Sequence, residues 1–210
     1  MKTVFMGHYL EALNELGRRF RVNIAIVEKK PSNKAVVAYC MDKRIPCVTI
    51  ATYEDILKAT EHLGKIDLTI VASFGTILKK SYIRRCRNIV NVHAGDTARY
   101  RGRHPLPCAI IDRAKTMGVT IHLIDSEKID AGPVLAKVIM PIDYSISYAA
   151  NEKHLRVMIG PLVGSVLERY KAAGAITGFS EPSGKYYTPL SRGEIRCIIG
   201  ASKLSKAVCR

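Results

Sequence analysis

Short apolar runs alternate with amphipathic stretches along most of the chain, and their spacing predicts strands and helices in turn. Thr3 to Met6 is an apolar strand that begins almost at the terminus. Tyr9 to Arg19 carries Leu10, Leu13 and Leu16 at helical spacing, and Val22 to Val27 is a second strand. Asn33 to Lys43 reads as a helix with Ser32 as its cap. Cys47 to Ile50 is a strand, Tyr53 to Leu63 a helix, and Ile66 to Ala72 an apolar strand covered on both faces. A turn at Ser73-Phe74-Gly75-Thr76 and a short helical segment precede the run Ile89-Val90, which ends in Asn91-Val92-His93. Pro105 to Lys115 suits a helix with Pro in its first turn. Val119 to Ile124 and Val134 to Met140 are the last clear strands. The strongest helical stripe is Leu155, Met158, Ile159, Leu162, Val163, Val166, Leu167 and Tyr170, with Gly174 to stop it. Pro161 inside that stripe is expected to kink the helix or remove one of its hydrogen bonds. Beyond Gly174 the pattern weakens: Ser180 to Gly184 reads as loop and Lys203 to Arg210 as a polar tail.

Repeated strand–helix units predict a Rossmann-like α/β fold, a doubly wound, mostly parallel sheet with helices on both faces. In such sheets ligands bind outside the carboxyl ends of the strands. The expected organisation is one catalytic domain over residues 1–175 and a short C-terminal extension over 176–210, which could form a hairpin or a homodimer contact.

Composition changes this picture little. The chain has 210 residues, 48% of them hydrophobic, enough for one full core. No apolar run approaches the ~20 residues that cross a bilayer, and the start lacks the apolar stretch of a signal peptide. A cytoplasmic protein is expected. The six cysteines form no Cys-x-x-Cys pair and have no zinc spacing with His, so reduced thiols and no metal are expected. The net charge of +15 matters more. Most of it is a solvated surface, but Arg99, Arg101 and Arg103 follow the Asn-Val-His run closely, which suits an anionic substrate.

The candidate chemistry lies at the strand ends. Residues two apart on a strand point to one side, so Asn91 and His93 share a face. Asp130 follows in an Asp-Ala-Gly loop. An amide, an imidazole and a carboxylate together can bind a carbonyl, stabilise its oxyanion and handle a proton. Singly, each has an ordinary explanation: a turn-forming Asn, a core His, a loop Asp. His122 falls within a predicted strand and reads as structural, whereas His104 is placed to touch substrate.

Asn91 to Gly102 (Asn-Val-His-Ala-Gly-Asp-Thr-Ala-Arg-Tyr-Arg-Gly) closely resembles the signature of the folate-dependent formyltransferases. Pro105 to Asp112, Gly118-Val119-Thr120-Ile121-His122, Ile129-Asp130-Ala131-Gly132-Pro133 and Val71 to Leu78 are similar to further segments of that family. The ordered match runs from about Ile66 to Gly174, and several motifs in order carry far more weight than any one. The resemblance implies 10-formyltetrahydrofolate as co-substrate. It also implies catalysis by Asn91, His93 and Asp130, with Phe74, Gly75, Thr76, Ile77, Leu78, Asp125 and Ile129 against the folate. Gly7, His8, Tyr9, Arg101 and His104 are the expected substrate contacts.

Departures narrow the resemblance. Met6-Gly7-His8-Tyr9 lacks the Gly-rich, Ser-Asn phosphate loop of glycinamide ribonucleotide formyltransferases. Ala94-Gly95 stands where methionyl-tRNA formyltransferases usually have Pro-Ser, and 210 residues leave no room for their second domain. Gly184 to Pro189 is similar to the segment after the catalytic domain of sugar N-formyltransferases. The expected acceptor is therefore the amine of a nucleotide-linked amino sugar. A glycinamide ribonucleotide or methionyl-tRNA-type formyltransferase, a formyltetrahydrofolate hydrolase and a basic nucleic-acid-binding protein are the alternatives; the last predicts aromatics interleaved with Lys and Arg, which are not seen.

Overall fold

The computed structural model describes residues 1–181 and 184–206. Strands β1 (Thr3–Gly7), β2 (Ile24–Glu28), β3 (Cys47–Ile50), β4 (Ile66–Ala72) and β5 (Cys86–His93) pair in parallel. β7 (Thr116–Leu123) and β8 (Val134–Pro141) extend the sheet antiparallel, giving the order β3-β2-β1-β4-β5-β7-β8. The expected mostly parallel, doubly wound sheet is therefore present. Its antiparallel edge is formed by β7 against β5 and β8 against β7.

Alternation on the strands divides two core layers. Phe5 joins the layer under helices α1 (Leu10–Arg19), α2 (Lys34–Asp42) and α6 (Tyr148–Ala173), whereas Val4 and Met6 join the layer under α3 (Tyr53–Thr60) and α4 (Lys80–Ile83). On β5, Val90 and Val92 face the first layer and Ile89 the second. Asn91 and His93 share the parity of Ile89. They lie beyond the reach of α4, a single short turn, so the strand end stays open on that side.

Local signals explain most element ends. Thr52 and Asp55 make a reciprocal capping box on α3, and Ser147 caps α6 at Ala150. Ser32 does not cap α2. Asn33 sits at that position without a side-chain cap, because its amide donates to the Glu28 carbonyl instead. α6 runs unbroken through Pro161 and starts well before Leu155, so the proline costs a hydrogen bond but does not end the helix.

The residues after Gly174 carry more structure than their pattern shows. β9 (Lys185–Tyr187) pairs in parallel with β6 (Tyr100–Gly102). α7 (Arg192–Gly200) starts at a Ser191–Glu194 capping box, and Ile198 and Leu204 are buried in the core under α5 (Pro105–Ile111) and α6. The tail is thus not simply polar up to residue 206, while 207–210, with Pro182 and Ser183 of the expected loop, lie outside the described residues. Among the described residues no helix is long and apolar enough to cross a membrane.

Candidate active site

Asn91 and His93 end β5, and the antiparallel register sets His122 of β7 directly opposite Asn91. Facing residues of an antiparallel pair project to the same side. A register shift between Ile121 and His122 marks a bulge there, a device that re-aims side chains at functional sites. The loop after β7 then folds back towards β5 and brings Asp130 onto the same face.

Four side chains converge. Asn91 Nδ2 lies 3.1 Å from Asp130 Oδ1 and 3.0 Å from His122 Nε2. His122 Nε2 is 3.3 Å from Asp130 Oδ1, and His93 Nδ1 is 3.4 Å from Asp130 Oδ2. The remaining ring nitrogens face carbonyls, which fixes their hydrogens: His93 Nε2 donates to Tyr100 O at 2.7 Å, and His122 Nδ1 donates to Leu123 O at 2.9 Å. In the neutral ring His122 Nε2 then accepts from Asn91; in the charged ring it donates to Asp130.

Charge in this group is tuned by burial and by neighbours. Burial would raise the Asp130 carboxyl. The charge of His93, the hydrogen bond and charge of His122 and the Gly102 N–H, 2.9 Å from Oδ2, outweigh it and hold Asp130 at about 2. His93 is only 7% exposed, and burial lowers its imidazole against the pull of Asp130 and the Tyr100 carbonyl. With Nε2 committed to Tyr100, a proton taken up by His93 must sit on Nδ1, facing Asp130.

These residues line a cavity of about 760 Å³ at the carboxyl ends of the parallel strands, where the fold class predicts it. Of the expected contacts, Phe74, Gly75, Thr76, Ile77, Leu78, Ile129, His8, Tyr9 and His104 line it too. Gly7, Arg101 and Asp125 do not. Gly7 is needed for its backbone: φ is +126°, and a Cβ there would meet the Ala72 carbonyl oxygen. Arg101 donates from Nε and Nη2 to the Ile129 carbonyl, at 2.9 and 2.7 Å. Asp125 accepts from its neighbour Ser126.

The site also draws on residues to which the sequence motifs assign no role. His122 reads locally as no more than a strand residue, because the register that pairs it with Asn91 is not local. Glu28, at the end of β2, accepts from Gly75 N at 2.9 Å and Thr76 Oγ1 at 3.1 Å, so it fixes the Phe74 turn from another strand. Lys30, Arg103 and Lys128 add positive charge to the cavity wall, and Tyr186 and Pro189 reach it from the C-terminal segment. No group of three or more His, Cys, Asp or Glu could hold a metal ion among the described residues.

An amide, two imidazoles and an ionised carboxylate around one cavity make an enzyme site on an α/β sheet. The formyl transferase family model matches residues 21–157, and the chain belongs to that family. It is 35% identical over 133 residues to a methionyl-tRNA formyltransferase of Halalkalibacterium halodurans, covering 63% of this chain and 35% of that protein. The chain thus spans about a third of that relative's length. Its fold is similar to that of WlaRD, a sugar 3N-formyl transferase solved with dTDP and 5-N-formyl-THF. The TM-score is 0.73 at 16% identity, over 94% of this chain and 72% of that one. It is similar also to an N-formyltransferase from Helicobacter canadensis in complex with folinic acid and dTDP-3-aminofucose. There the TM-score is 0.72 at 18% identity, over 94% and 73% of the two chains.

Proposed function

We propose that this protein transfers a formyl group from 10-formyltetrahydrofolate to the amine of a nucleotide-linked amino sugar, in the cytoplasm. The observation that carries the reading is the convergence of Asn91, His93, His122 and Asp130 on the cavity beside the Phe74 turn. The cavity suits a folate donor: Val71, Phe74, Leu78, Ile124 and Ile129 offer an apolar wall for a flat ring, beside the polar cluster. The donor supplies the formyl carbon. Asn91 directs an amide N–H at the oxygen on which negative charge develops, exchanging one present partner for it. His93, whose imidazole burial holds below its ordinary value, has Nδ1 free to take the proton lost by the attacking amine, and the imidazolium that forms beside Asp130 adds positive charge next to that oxygen. Asp130 keeps that proton in place or passes on the proton lost by the attacking amine. Lys30, Arg103 and Lys128 against Glu127 and Asp130 leave the lining with one positive charge in surplus, the sign that a nucleotide-linked acceptor needs.

The sequence relatives favour a second acceptor, methionyl-tRNA, and one assay separates the readings. The protein is incubated with 10-formyltetrahydrofolate and either nucleotide-linked amino sugars, methionyl-tRNA or no amine. Formylated amino sugar is the expected product. Formylated methionyl-tRNA, or formate released without an amine, sinks the sugar reading. Asn91→Ala is expected to lower kcat roughly 100- to 1000-fold, the usual cost of removing an oxyanion donor; a near-native rate removes Asn91 from the mechanism.

A further inference from the structure

Three consecutive residues of β6 touch the catalytic group, each by a different route. The Tyr100 carbonyl accepts from His93 Nε2. The Arg101 guanidinium grips the Ile129 carbonyl through two donors. The Gly102 amide donates to Asp130 Oδ2. Asp130 needs such holding. Its φ is +47°, a left-handed conformation that a non-glycine residue keeps only when its surroundings impose it. Arg101 fixes the peptide on one side of that strained residue, and Gly102 fixes its carboxylate.

β6 is only three residues long and has no place in the main sheet. Its one sheet partner among the described residues is β9, which pairs Tyr100 with Lys185, Arg101 with Tyr186 and Gly102 with Tyr187. Arg101 Nη1 adds a 3.4 Å contact to the Gly184 carbonyl, so one guanidinium joins the Asp130 loop to the C-terminal segment.

We propose that Arg101 is a positioning residue for the His93–Asp130 pair and that β9 is its support. The C-terminal segment thereby sets the geometry of a reaction whose reacting atoms it does not touch. The proposal takes the assignment of Asn91, His93 and Asp130 from the formyl-transfer reading. The shape of the guanidinium is what matters: two donors of one planar fork meet a single carbonyl, which a lysine ammonium does not reproduce. The ordinary alternative is that Arg101 merely strengthens a loop, in which case stability changes and the chemistry of folded protein does not.

The test compares wild type with Arg101→Met, Arg101→Lys and Gly184→Ala. The last builds a Cβ 2.4 Å from the Arg99 amide nitrogen and so pushes the entry of β9 away from β6. Readouts are kcat and KM for formyl transfer, thermal unfolding, and the titration of His93 followed by ring-nitrogen NMR. In both Arg101 variants kcat is expected to fall about 10- to 100-fold with KM changed less than about threefold, as for a sub-ångström to ångström misplacement of reacting groups. The His93 midpoint is expected to drop, because Asp130 supplies the largest upward pull on it, above those of the Tyr100 carbonyl and Asp96 and against His122. A further variant, Arg101→Ala, leaves the guanidinium's space open, and free guanidine is expected to restore part of its rate. If Arg101→Met does not fold, Arg101→Lys and Gly184→Ala carry the same readouts. Unchanged kcat and His93 titration in folded variants overturn the proposal, as does a loss confined to unfolding temperature. If wild type forms no formylated product while the His93 midpoint still moves in the variants, the formyl-transfer reading fails and the positioning role stands.

Discussion

Asp130 shows how single residues here combine strain with charge. It is left-handed, only 11% exposed at its side chain, and ionised at every pH the cell meets. A carboxyl lowered from 3.8 to about 2 on folding stabilises the folded state above its unfolded value. That contribution is lost as pH falls through the folded value, so the window is roughly pH 4 to 2. A lowering of that size corresponds to about 2 kcal/mol. Urea unfolding of wild type and Asp130→Asn across pH 6 to 2 is therefore expected to give curves that converge by about 2 kcal/mol in that window. Parallel curves contradict the ionised, paired state of Asp130. At this scale the sequence marks Asn91, His93 and Asp130 as candidates because they occur in an ordered pattern, and the fold brings them together. The sequence hides the roles of His122 and Glu28, since each meets a partner from a segment distant in sequence. It misplaces Arg101, because a lone arginine near a predicted site looks the same whether it meets a ligand or a backbone carbonyl.

Among the elements, periodicity reads the long runs well and the short ones poorly. β1 and β4 fall within a residue of their expected bounds because each is a buried apolar run between helices, and β3 matches its bounds although two of its four residues are exposed at the sheet edge. β6 and β9 are three residues each, too short for any period to emerge. The Ser191–Glu194 capping box is a local signal for α7, standing in a stretch otherwise too polar to suggest a helix. Pro161 is the clearest conflict between local preference and tertiary packing. It sits exposed in the middle of α6, while Leu155, Ile159, Val163, Val166 and Leu167 are buried on the other side. Packing of that face holds the helix together across the missing amide. Pro161→Ala restores a backbone donor in a helix that is already straight enough to pack, and is expected to stabilise the protein by about 1–3 kcal/mol. Chemical denaturation measures it, and a destabilised variant contradicts the account of α6 as one continuous helix under strain.

Over the whole molecule, the net charge of +15 and the position of the cavity act together. The sheet order places the ends of β1, β2, β4 and β5 on one side, so Lys30 after β2, Arg103 after β6 and Lys128 after β7 reach one opening although they are far apart in sequence. The sequence displays the total charge but not this focusing, which depends on the crossovers that bring those loops together. Lys30 is partly neutralised by Glu28, which is itself engaged in holding the Phe74 turn. A cleft with a surplus of one sign draws oppositely charged ligands to it, by factors of about 10 to 1000 in encounter rate, and salt screens the attraction. For a doubly charged nucleotide-linked acceptor, kcat/KM is expected to fall about tenfold between roughly 10 mM and 300 mM salt, with kcat nearly constant, because screening acts on capture and not on the buried pair. Arg103→Gln is expected to flatten that dependence and leave the kcat of saturated enzyme within about threefold. An uncharged amine acceptor serves as the control, since it has nothing to be steered by. A salt dependence equal for both acceptors, or one that falls on kcat, means that the positive rim does not select the acceptor.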